Sequence, residues 1–460
     1  MSKWVGAALV MVIACAPPVK EPMPATPAAQ TSPLAADAVA GVTDPALKAA
    51  IADHWEYIMR WSPTYATTLG DHRYDDQLAP RDAASIARMH RERDAIVAKL
   101  DAVPVTGLGD TDRVTYQLLR GRLEAEQGLD VCRFHEWLVD SAGGSVLGEL
   151  SYLVESHTVK SADDAEHLVK RMKQGAKAVD DTIANLRLGL ADGRVSSAEK
   201  VRRVVEQLDA ELAKPVESWS MTSPAWGEQY PVQQRELAAL VRDEIEPAIV
   251  RLRDFLRGEV LPKARTDQEG LVALPDGDAC YRAAILNHVG LAMTPEELHQ
   301  LGLAEVARSD KELAELGKKV LGTPDLAATV AALRDDKKLY FGTREEILAS
   351  AQGSLDRAKA LVPKFFSVLP KVDCVMREIP DYEAPYSTIA YYRQPHYDGT
   401  KPGEYFVNTY KPETRPRFEL EALTWHESVP GHHLQIAIAQ ELGALPAFRK
   451  LDGSTAFVEG

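Results

Sequence analysis

One segment near the C-terminal end of the sequence limits the fold more than any other. It is TWHESVPGHHLQ, residues 424–435, and it holds three of the 12 histidines within eight positions. A His-Glu pair on a helix offers an imidazole that can bind zinc and a carboxylate that can accept a proton, which are the groups that zinc hydrolases use. Pro430 interrupts the segment, and a proline inside a helix removes an amide and clashes with the preceding turn. The chain must therefore combine a metal-binding helix with a distortion of that helix.

The second histidine ligand has two candidates. In the common H-E-x-x-H motif it follows the first by four residues, about 40° round the helix, whereas His432 and His433 follow His426 by six and seven. On a regular helix His433 lies about 20° from His426 but roughly 10 Å further along the axis, too far for one ion. A bulge at Val429–Pro430 would return His432 to the position of the second ligand. Proline costs a helix about 3 kcal/mol and zinc binding contributes about 10 kcal/mol or more, so we favour His432 and keep His433 as the alternative ligand.

The third ligand must be acidic, because no histidine follows this pair. The downstream candidates are Glu441, Asp452 and Glu459. Glu441 would lie on the same helix as the histidines, about 13 Å of rise beyond His432, and Asp452 belongs to an Asp-Gly turn. Glu459 follows the helix break near residues 443–446 and is the best placed of the three.

Several segments of the sequence resemble the bacterial protein family DUF885. The pattern H-E-x-x-x-G-H-H, followed by Phe-Val-Glu-Gly at residues 457–460, carries most of the resemblance. Three further segments fit it: RWSPTYATTLGD at 60–71, MTPEELHQLG at 293–302 and PGEYFVNT at 402–409. The likeness covers about residues 44–460, and the whole signature is specific, although the His-Glu pair within it is not.

This resemblance implies a fold, a metal and a mechanism. The fold is mostly α: a large helical, zincin-like metallopeptidase of the gluzincin type, with a small β element next to the metal-binding helix. The cofactor is Zn²⁺, with His426, His432 and Glu459 as its ligands. Glu427 is then the general base, which takes a proton from water and passes it to the leaving amine.

The resemblance also indicates where the substrate binds. In related peptidases a strand beside the metal helix pairs with the substrate backbone, and the strand-like segment that begins at residue 405 is the candidate here. Its substrate-binding residues are then Tyr405, Val407 and Asn408. An oxyanion donor is also needed, for which Tyr391, Tyr392 and His396 are candidates, each with ordinary packing as its alternative.

The remainder of the chain is predicted to be helical. Asp44, followed by proline, forms a helix start, and capping boxes begin at Thr294 and Thr343, where the threonine and a glutamate three residues on bind each other's backbone amides. Strand-like alternation is scarce and is clearest at residues 405–410. Since there is no internal repeat and no obvious second linker, we predict one α-helical DUF885-type domain over residues 44–460.

The N-terminus has the composition of a bacterial lipoprotein signal. Residues 1–14 combine one cation with an uncharged stretch of about ten residues, too short to span a bilayer. A small residue precedes Cys15, which resembles the pattern in which that cysteine is lipidated. Residues 15–43 are rich in proline and lack aromatic residues, which predicts a disordered tether. Ala16 after the cysteine favours the periplasmic side of the outer membrane of a Gram-negative cell.

Charge and cysteine content exclude other classes of protein. The formal net charge is −15 over 460 residues, which disfavours binding to nucleic acid and leaves the lipid anchor as the expected membrane contact. No cysteines stand in C-x-x-C spacing, so a metal must bind histidine and carboxylate ligands. With Cys15 lipidated, Cys132, Cys280 and Cys374 allow at most one disulfide and leave at least one thiol free.

Together these features predict an exported, lipid-anchored zinc peptidase whose partner is a peptide substrate. The alternative is a catalytically inactive zincin-fold lipoprotein that acts as a binding or scaffold module. The resemblance to DUF885 continues past the Phe-Val-Glu-Gly segment, so we expect the domain to extend beyond Gly460. We therefore expect the 460-residue chain to bind zinc weakly and to have little activity.

Overall fold

Helices make up most of the chain, as the sequence predicts. The computed structural model describes residues 32–459, apart from residues 142–144, 223, 225, 269 and 452. The predicted signal peptide (residues 1–14) and the lipidation site Cys15 lie outside these residues. Within the described part, no helix is both long and apolar enough to cross a bilayer.

Nineteen α-helices and three short strands are found in the described residues. The helices are α1 (Ala35–Ala38), α2 (Pro45–Trp61), α3 (Pro63–Thr68), α4 (Ala83–Asp101), α5 (Asp110–Gly128), α6 (Val146–Ser156), α7 (Ala162–Met172), α8 (Gly175–Ala191), α9 (Ala198–Leu212), α10 (Pro231–Leu240), α11 (Glu246–Phe255), α12 (Gly277–Val289), α13 (Pro295–Val320), α14 (Leu326–Asp335), α15 (Arg344–Phe365), α16 (Arg417–Glu427), α17 (His432–Gln440), α18 (Ala447–Leu451) and α19 (Thr455–Val458). The strands are β1 (Cys374–Glu378), β2 (Ala390–Arg393) and β3 (Gly403–Val407). Two π-helical turns, Val241–Ile245 and Leu256–Val260, flank α11.

The largest hydrophobic core lies among α6 to α11, and α7 shows how the sequence builds it. Ser161 and Asp164 form a capping box that starts the helix. Apolar residues then recur at helical spacing, so that one face of α7 is buried. Its buried apolar residues are Ala165, Leu168, Val169 and Met172. The same pattern in the neighbouring helices closes the core around Trp219, which is fully buried.

The predicted helix starts are largely confirmed. Asp44 caps α2 by accepting the Leu47 amide at 2.8 Å, and Thr294 with Glu297 makes both hydrogen bonds of the capping box of α13. At α15 the box is incomplete: Thr343 accepts its helical amide, but the glutamate three residues on accepts from the Gly342 amide instead.

Residues 32–43 contradict the prediction of a disordered tether that reaches residue 43. The Ser32 hydroxyl donates to Asp71 at 2.7 Å, and both side chains are buried. Val42 packs into the core that α2, α4 and α5 share, and the buried Asp112 carboxylate accepts from the backbone that follows Val42. Aliphatic residues and partners from distant parts of the chain therefore order this segment, although its composition lacks aromatic side chains.

The three strands form one small sheet in the order β1-β3-β2. β3 pairs in parallel with β1 and antiparallel with β2, so that Tyr405 lies opposite Met376 on one side and Tyr392 on the other. α15 packs against β1 and α16 against β2. The sheet thus lies beside the helix that carries His426 and Glu427, as predicted.

One disulfide links distant parts of the chain. Cys132, in the turn after α5, is bonded to Cys280 in α12. Cys374, at the start of β1, is a buried free thiol. This pattern agrees with the expectation of at most one disulfide and at least one free thiol among the three cysteines.

Candidate metal centre

The helix that begins the metal segment stops directly after the His-Glu pair. α16 ends at Glu427, Ser428 has φ −117° and ψ −110°, and α17 begins at His432. The Val429–Pro430 peptide is cis, and Gly431 has φ −78° and ψ −130°. The predicted bulge is therefore a complete break between two helices, because two residues of the linker leave the helical region of backbone conformation.

Gly431 holds the two helices close together at this break. Its amide donates to the Trp425 carbonyl at 2.9 Å. A Cβ atom on Gly431 would lie 1.9 Å from the carbonyl oxygen of His426, which is far inside van der Waals contact. Only glycine permits this approach, and the approach brings the first residue of α17 back beside the last turn of α16.

The break brings His426, His432 and Glu459 together. One ligand atom from each lies within 4.8 Å of the other two. The Nε2 atoms of His426 and His432 are 3.7 and 3.8 Å from the Glu459 carboxylate, and the imidazole centroids are 4.4 Å apart. Among the described residues, no other group of three or more His, Cys, Asp or Glu side chains converges in this way.

Neighbouring helices position Glu459. Its amide donates to the Thr455 carbonyl at 2.9 Å at the end of α19. The side-chain amide of Gln435, on α17, donates to the Phe457 carbonyl, and His288, on α12, lies 3.1 Å from the Thr455 hydroxyl. α19 is thus attached both to the histidine helix and to the helix that the disulfide fixes.

Glu427 lies beside the three candidate ligands and is 8% exposed. Its Oε2 atom is 3.8 Å from Nε2 of His432. Burial raises the pKa of Glu427, the negative charge of Glu459 raises it further, and His426 opposes the shift. A carboxylate whose pKa is raised towards neutrality is a better proton acceptor at neutral pH.

The surroundings of His432 favour its neutral imidazole form. Burial lowers its pKa, and the neighbouring His426 lowers it further. Glu459 and a hydrogen bond to the Val458 carbonyl act in the opposite direction. A neutral imidazole is the form that binds a metal, so the environment of His432 suits a ligand.

His433 does not belong to the candidate metal centre. It is 1% exposed, its Nε2 atom lies 3.0 Å from the Val372 carbonyl, and its Nδ1 atom lies 2.9 Å from the Tyr392 hydroxyl. Because a carbonyl only accepts, Nε2 carries the proton, and the Tyr392 hydroxyl donates to Nδ1. Both ring nitrogens are engaged, so the alternative with His433 as metal ligand does not fit.

The predicted substrate strand is wrong, because β3 is the central strand of the sheet and both of its edges are paired. Tyr405 is fully buried, with its hydroxyl 3.1 Å from that of Thr424. Val407 is 1% exposed, and the Asn408 side chain donates to the Ala384 carbonyl at 2.8 Å. These three residues stabilise the sheet and are not available to a substrate.

The candidate oxyanion donors are found in different settings. Tyr391 stacks on Phe406 with 4.8 Å between ring centroids, in the sheet rather than at the metal centre. His396 lies 3.2 Å from the Thr400 hydroxyl. Tyr392 is the candidate whose ring lies near His432, with 6.1 Å between centroids, but its hydroxyl is engaged by His433.

A cavity of about 580 Å³ adjoins this region. It is bordered by the end of α2, by α3 and α6, by the residues around β2 and by Ile436 of α17. The cavity residues of α2 and α3 could not be predicted from sequence motifs. They belong to the segment RWSPTYATTLGD, which resembles the DUF885 family and is the only signal for them, since hydroxyl and aromatic residues at these spacings match no catalytic motif.

Known proteins that are similar to this chain share its fold, and their descriptions name no activity. The family model "Bacterial protein of unknown function (DUF885)" matches residues 63–460. A solved structure titled "The crystal structure of the putative lipoprotein from Colwellia psychrerythraea" aligns with a TM-score of 0.78 and 20% identity, covering 90% of this chain and 76% of that one. A structure titled "putative lipoprotein of unknown function from Shewanella oneidensis" aligns with a TM-score of 0.55 and 18% identity, covering 89% and 74%. No curated protein matches the chain.

Proposed function

We propose that this chain, which belongs to the DUF885 family, is a zinc-dependent peptidase. The observation that carries the proposal is the convergence of His426, His432 and Glu459 within 4.8 Å, with the buried carboxylate of Glu427 beside them. The family match and the solved relatives support the fold and leave the activity to be tested.

The three side chains have the donor chemistry that zinc prefers. Two imidazole nitrogens and one carboxylate are the protein ligands of many catalytic zinc sites, which keep a fourth position for water or substrate. When bound, zinc supplies Lewis acidity, which polarises a carbonyl group and makes water nucleophilic at neutral pH. The proposed ligands are His426, His432 and Glu459.

Glu427 moves the proton in this proposal. As water attacks the carbonyl carbon of the peptide bond, the Glu427 carboxylate accepts one proton from it. The C–N bond then breaks, and Glu427 gives the proton to the leaving amine, which returns the carboxylate to its starting state. Burial of Glu427 favours this cycle, because a raised pKa makes proton uptake easier and an adjacent position makes proton return direct.

β2 replaces β3 as the proposed binding strand for the substrate backbone. β2 lies at an edge of the sheet, next to α16. The Asn408 amide donates to the Ile389 carbonyl at 3.0 Å, so these two opposed residues form a hydrogen-bonded pair. In an antiparallel pair of strands, the backbone N–H and C=O groups of the next residue along the strand point away from the partner strand. The backbone N–H and C=O groups of Tyr392, which is partly exposed, therefore lie on the edge away from β3, where an extended peptide could pair.

We also propose that the protein is an exported lipoprotein anchored through Cys15. The lipoprotein-like pattern around this cysteine supports the anchor, and two solved proteins of similar fold carry a lipoprotein description. Placement on the periplasmic side of the outer membrane rests on Ala16.

Metal analysis and peptide hydrolysis test the function separately. We expect about one zinc per chain after reconstitution, lost in His426→Ala and kept in His299→Ala, a matched change on the exposed α13. Glu427→Gln should retain zinc and lower hydrolysis of a mixed peptide library, assayed by mass spectrometry, by about 10²-fold or more. Glu419→Gln, on the same helix, is the control for this change.

The outcomes separate the two hypotheses. A chain that binds no zinc at this site would contradict both the metal centre and the peptidase. A chain that binds zinc but hydrolyses no peptide at high protein concentration would favour the binding or scaffold module.

A further inference from the structure

The cavity of about 580 Å³ lies next to the proposed metal centre. Ile436, which lines it, follows His432 by four residues on α17, so both side chains lie on one face of the helix about 6 Å apart along its axis. Tyr392, which also lines it, has its ring 6.1 Å from that of His432. The cavity therefore begins within about one helical turn of a proposed zinc ligand.

Aromatic and aliphatic groups form much of the cavity wall. Trp61 and Pro63 are contributed by α2 and α3, Tyr152 by α6, and Ile436 by α17. The volume falls within the range of about 300–1,000 Å³ that is usual for ligand sites. A large side chain could bury most of its surface here.

The charged groups of the wall are already compensated within the protein. Glu149 forms an ion pair with Arg81. Arg393 forms an ion pair with Glu155 at 3.0 Å, and its guanidinium lies 4.9 Å from the ring centroid of Tyr152. The face of the Tyr152 ring is thus occupied by a cation of the protein itself.

The histidine of the wall adds no charge near neutral pH. Burial lowers the pKa of His396 to about 4, and the nearby Lys401 contributes to the shift. A charged ligand group would therefore lose its hydration in the cavity without gaining a counter-charge, which is unfavourable.

We propose that this cavity is the substrate subsite of the enzyme and that it binds a large neutral side chain, aromatic or aliphatic, next to the scissile bond. This inference rests on the proposed function, because the metal centre gives the cavity its place relative to the reacting carbonyl. It adds a substrate preference, which neither the family nor the metal ligands imply.

A series of amino-acid hydroxamates tests the preference. Their hydroxamate group binds zinc, and the side chain alone varies among glycine, leucine, phenylalanine, lysine and glutamate. By isothermal titration to the zinc-loaded chain, we expect the leucine and phenylalanine compounds to bind about 10-fold or more tightly than the glycine compound. The lysine and glutamate compounds should show no such gain.

Cavity-filling variants connect the preference to the cavity. Ala79→Trp and, independently, Thr64→Trp place a large ring in the cavity. Each should reduce the ratio of the affinities of the phenylalanine and glycine hydroxamates to below about 3-fold. Ala304→Trp, the same change as the first on the exposed α13, should keep the full ratio. Circular dichroism and thermal melting identify which variants are folded.

The subsite would be overturned by a phenylalanine-to-glycine affinity ratio near one in the unmodified chain, or by an undiminished ratio in a folded, filled variant. A gain for lysine or glutamate would also overturn it. If the chain binds no zinc, the proposed function fails, and N-acetyl-phenylalanine amide replaces the hydroxamates. Binding of this amide that is lost in Ala79→Trp would retain the subsite, and absence of binding would overturn it.

Discussion

At the scale of single residues, the proposed metal centre depends on a residue outside the set of candidate ligands. Gly431 approaches the His426 carbonyl so closely that a Cβ atom would lie 1.9 Å from the oxygen. This approach, rather than the proline alone, sets where α17 begins relative to α16. His432 can therefore face Glu459 although it is six residues from His426.

We expect Gly431→Ala to separate the two histidines. The added methyl group must displace either the backbone or α17, which should lower zinc affinity by about 10-fold or more and the free energy of unfolding by about 1–3 kcal/mol. Competition with a zinc chelator measures the first quantity and urea unfolding of the metal-free chain the second. Gly443→Ala is the matched control, because nothing lies within 4 Å of its Cβ position. Equal zinc affinities of the two variants would contradict the role of Gly431.

The convergent residues are predictable from the sequence, but the backbone geometry that unites them is not. Residue chemistry and spacing indicate His426, Glu427 and His432. Glu459 is the best placed of the three downstream acidic residues. The partners of His433, the Val372 carbonyl and the Tyr392 hydroxyl, are 61 and 41 residues away. Such distant contacts leave no local signal in one sequence, so the choice between the two histidines rested on helix geometry and on the family resemblance.

At the scale of elements, α19 is a short helix whose position depends on its neighbours. It has four residues, and helices of this length are not stable alone. Contacts with α17 and α12 hold it in place, and the Cys132–Cys280 disulfide attaches α12 to the turn after α5. The position of Glu459 is therefore set by elements far away in the sequence.

Removing the contact between α12 and α19 should weaken metal binding. The Thr455 hydroxyl lies 3.1 Å from Nδ1 of His288, and a hydrogen bond of this kind contributes about 0.5–1.5 kcal/mol. We expect Thr455→Val to lower zinc affinity by about 2- to 10-fold, measured by chelator competition. Thr266→Val, an exposed threonine whose hydroxyl bonds only the adjacent Asp267 among the described contacts, is the control. An unchanged affinity in Thr455→Val would show that other contacts alone hold α19.

Helices were predictable where a local signal exists, but the order of the strands in the sheet was not. Asp44 and Thr294 start helices through hydrogen bonds within four residues, which the sequence displays directly. Strand β3 shows alternation, but its central place depends on β1 and β2, which show none. The error about the substrate strand follows from this, since an edge strand is recognised only once its partners are known.

At the scale of the whole molecule, three buried histidines make stability depend on pH. Burial lowers the pKa of His54 to about 3, and of His157 and His396 to about 4. In the unfolded chain a histidine has a pKa of about 6.5. Below that pH the unfolded state binds more protons than the folded state, so the stability that is present above pH 6.5 is lost as the pH falls.

His54 should account for a measurable part of this acid sensitivity. It is 1% exposed, it packs against Tyr57 and Phe448, and neither ring nitrogen has a hydrogen-bond partner among the described residues. Between pH 6.5 and 4.5 a single histidine with a folded pKa of about 3 costs about 2 kcal/mol of unfolding free energy. His54→Leu should remove that loss and, since it also removes unpartnered polar atoms, should not destabilise the chain at pH 7.5 by more than about 1 kcal/mol.

Urea unfolding at pH 7.5, 6.5, 5.5 and 4.5 tests this, with His299→Leu on the exposed α13 as the matched control. The curve of stability against pH should be shallower for His54→Leu and parallel to that of the unmodified chain for His299→Leu. The difference in unfolding free energy between His54→Leu and the unmodified chain should grow as the pH falls below 6.5. Above pH 6.5 it should approach a constant, because residue 54 is then unprotonated in both the folded and the unfolded chain. A difference independent of pH would mean that His54 has the same pKa in the folded and unfolded chain, and the lowered pKa of the buried imidazole would be wrong.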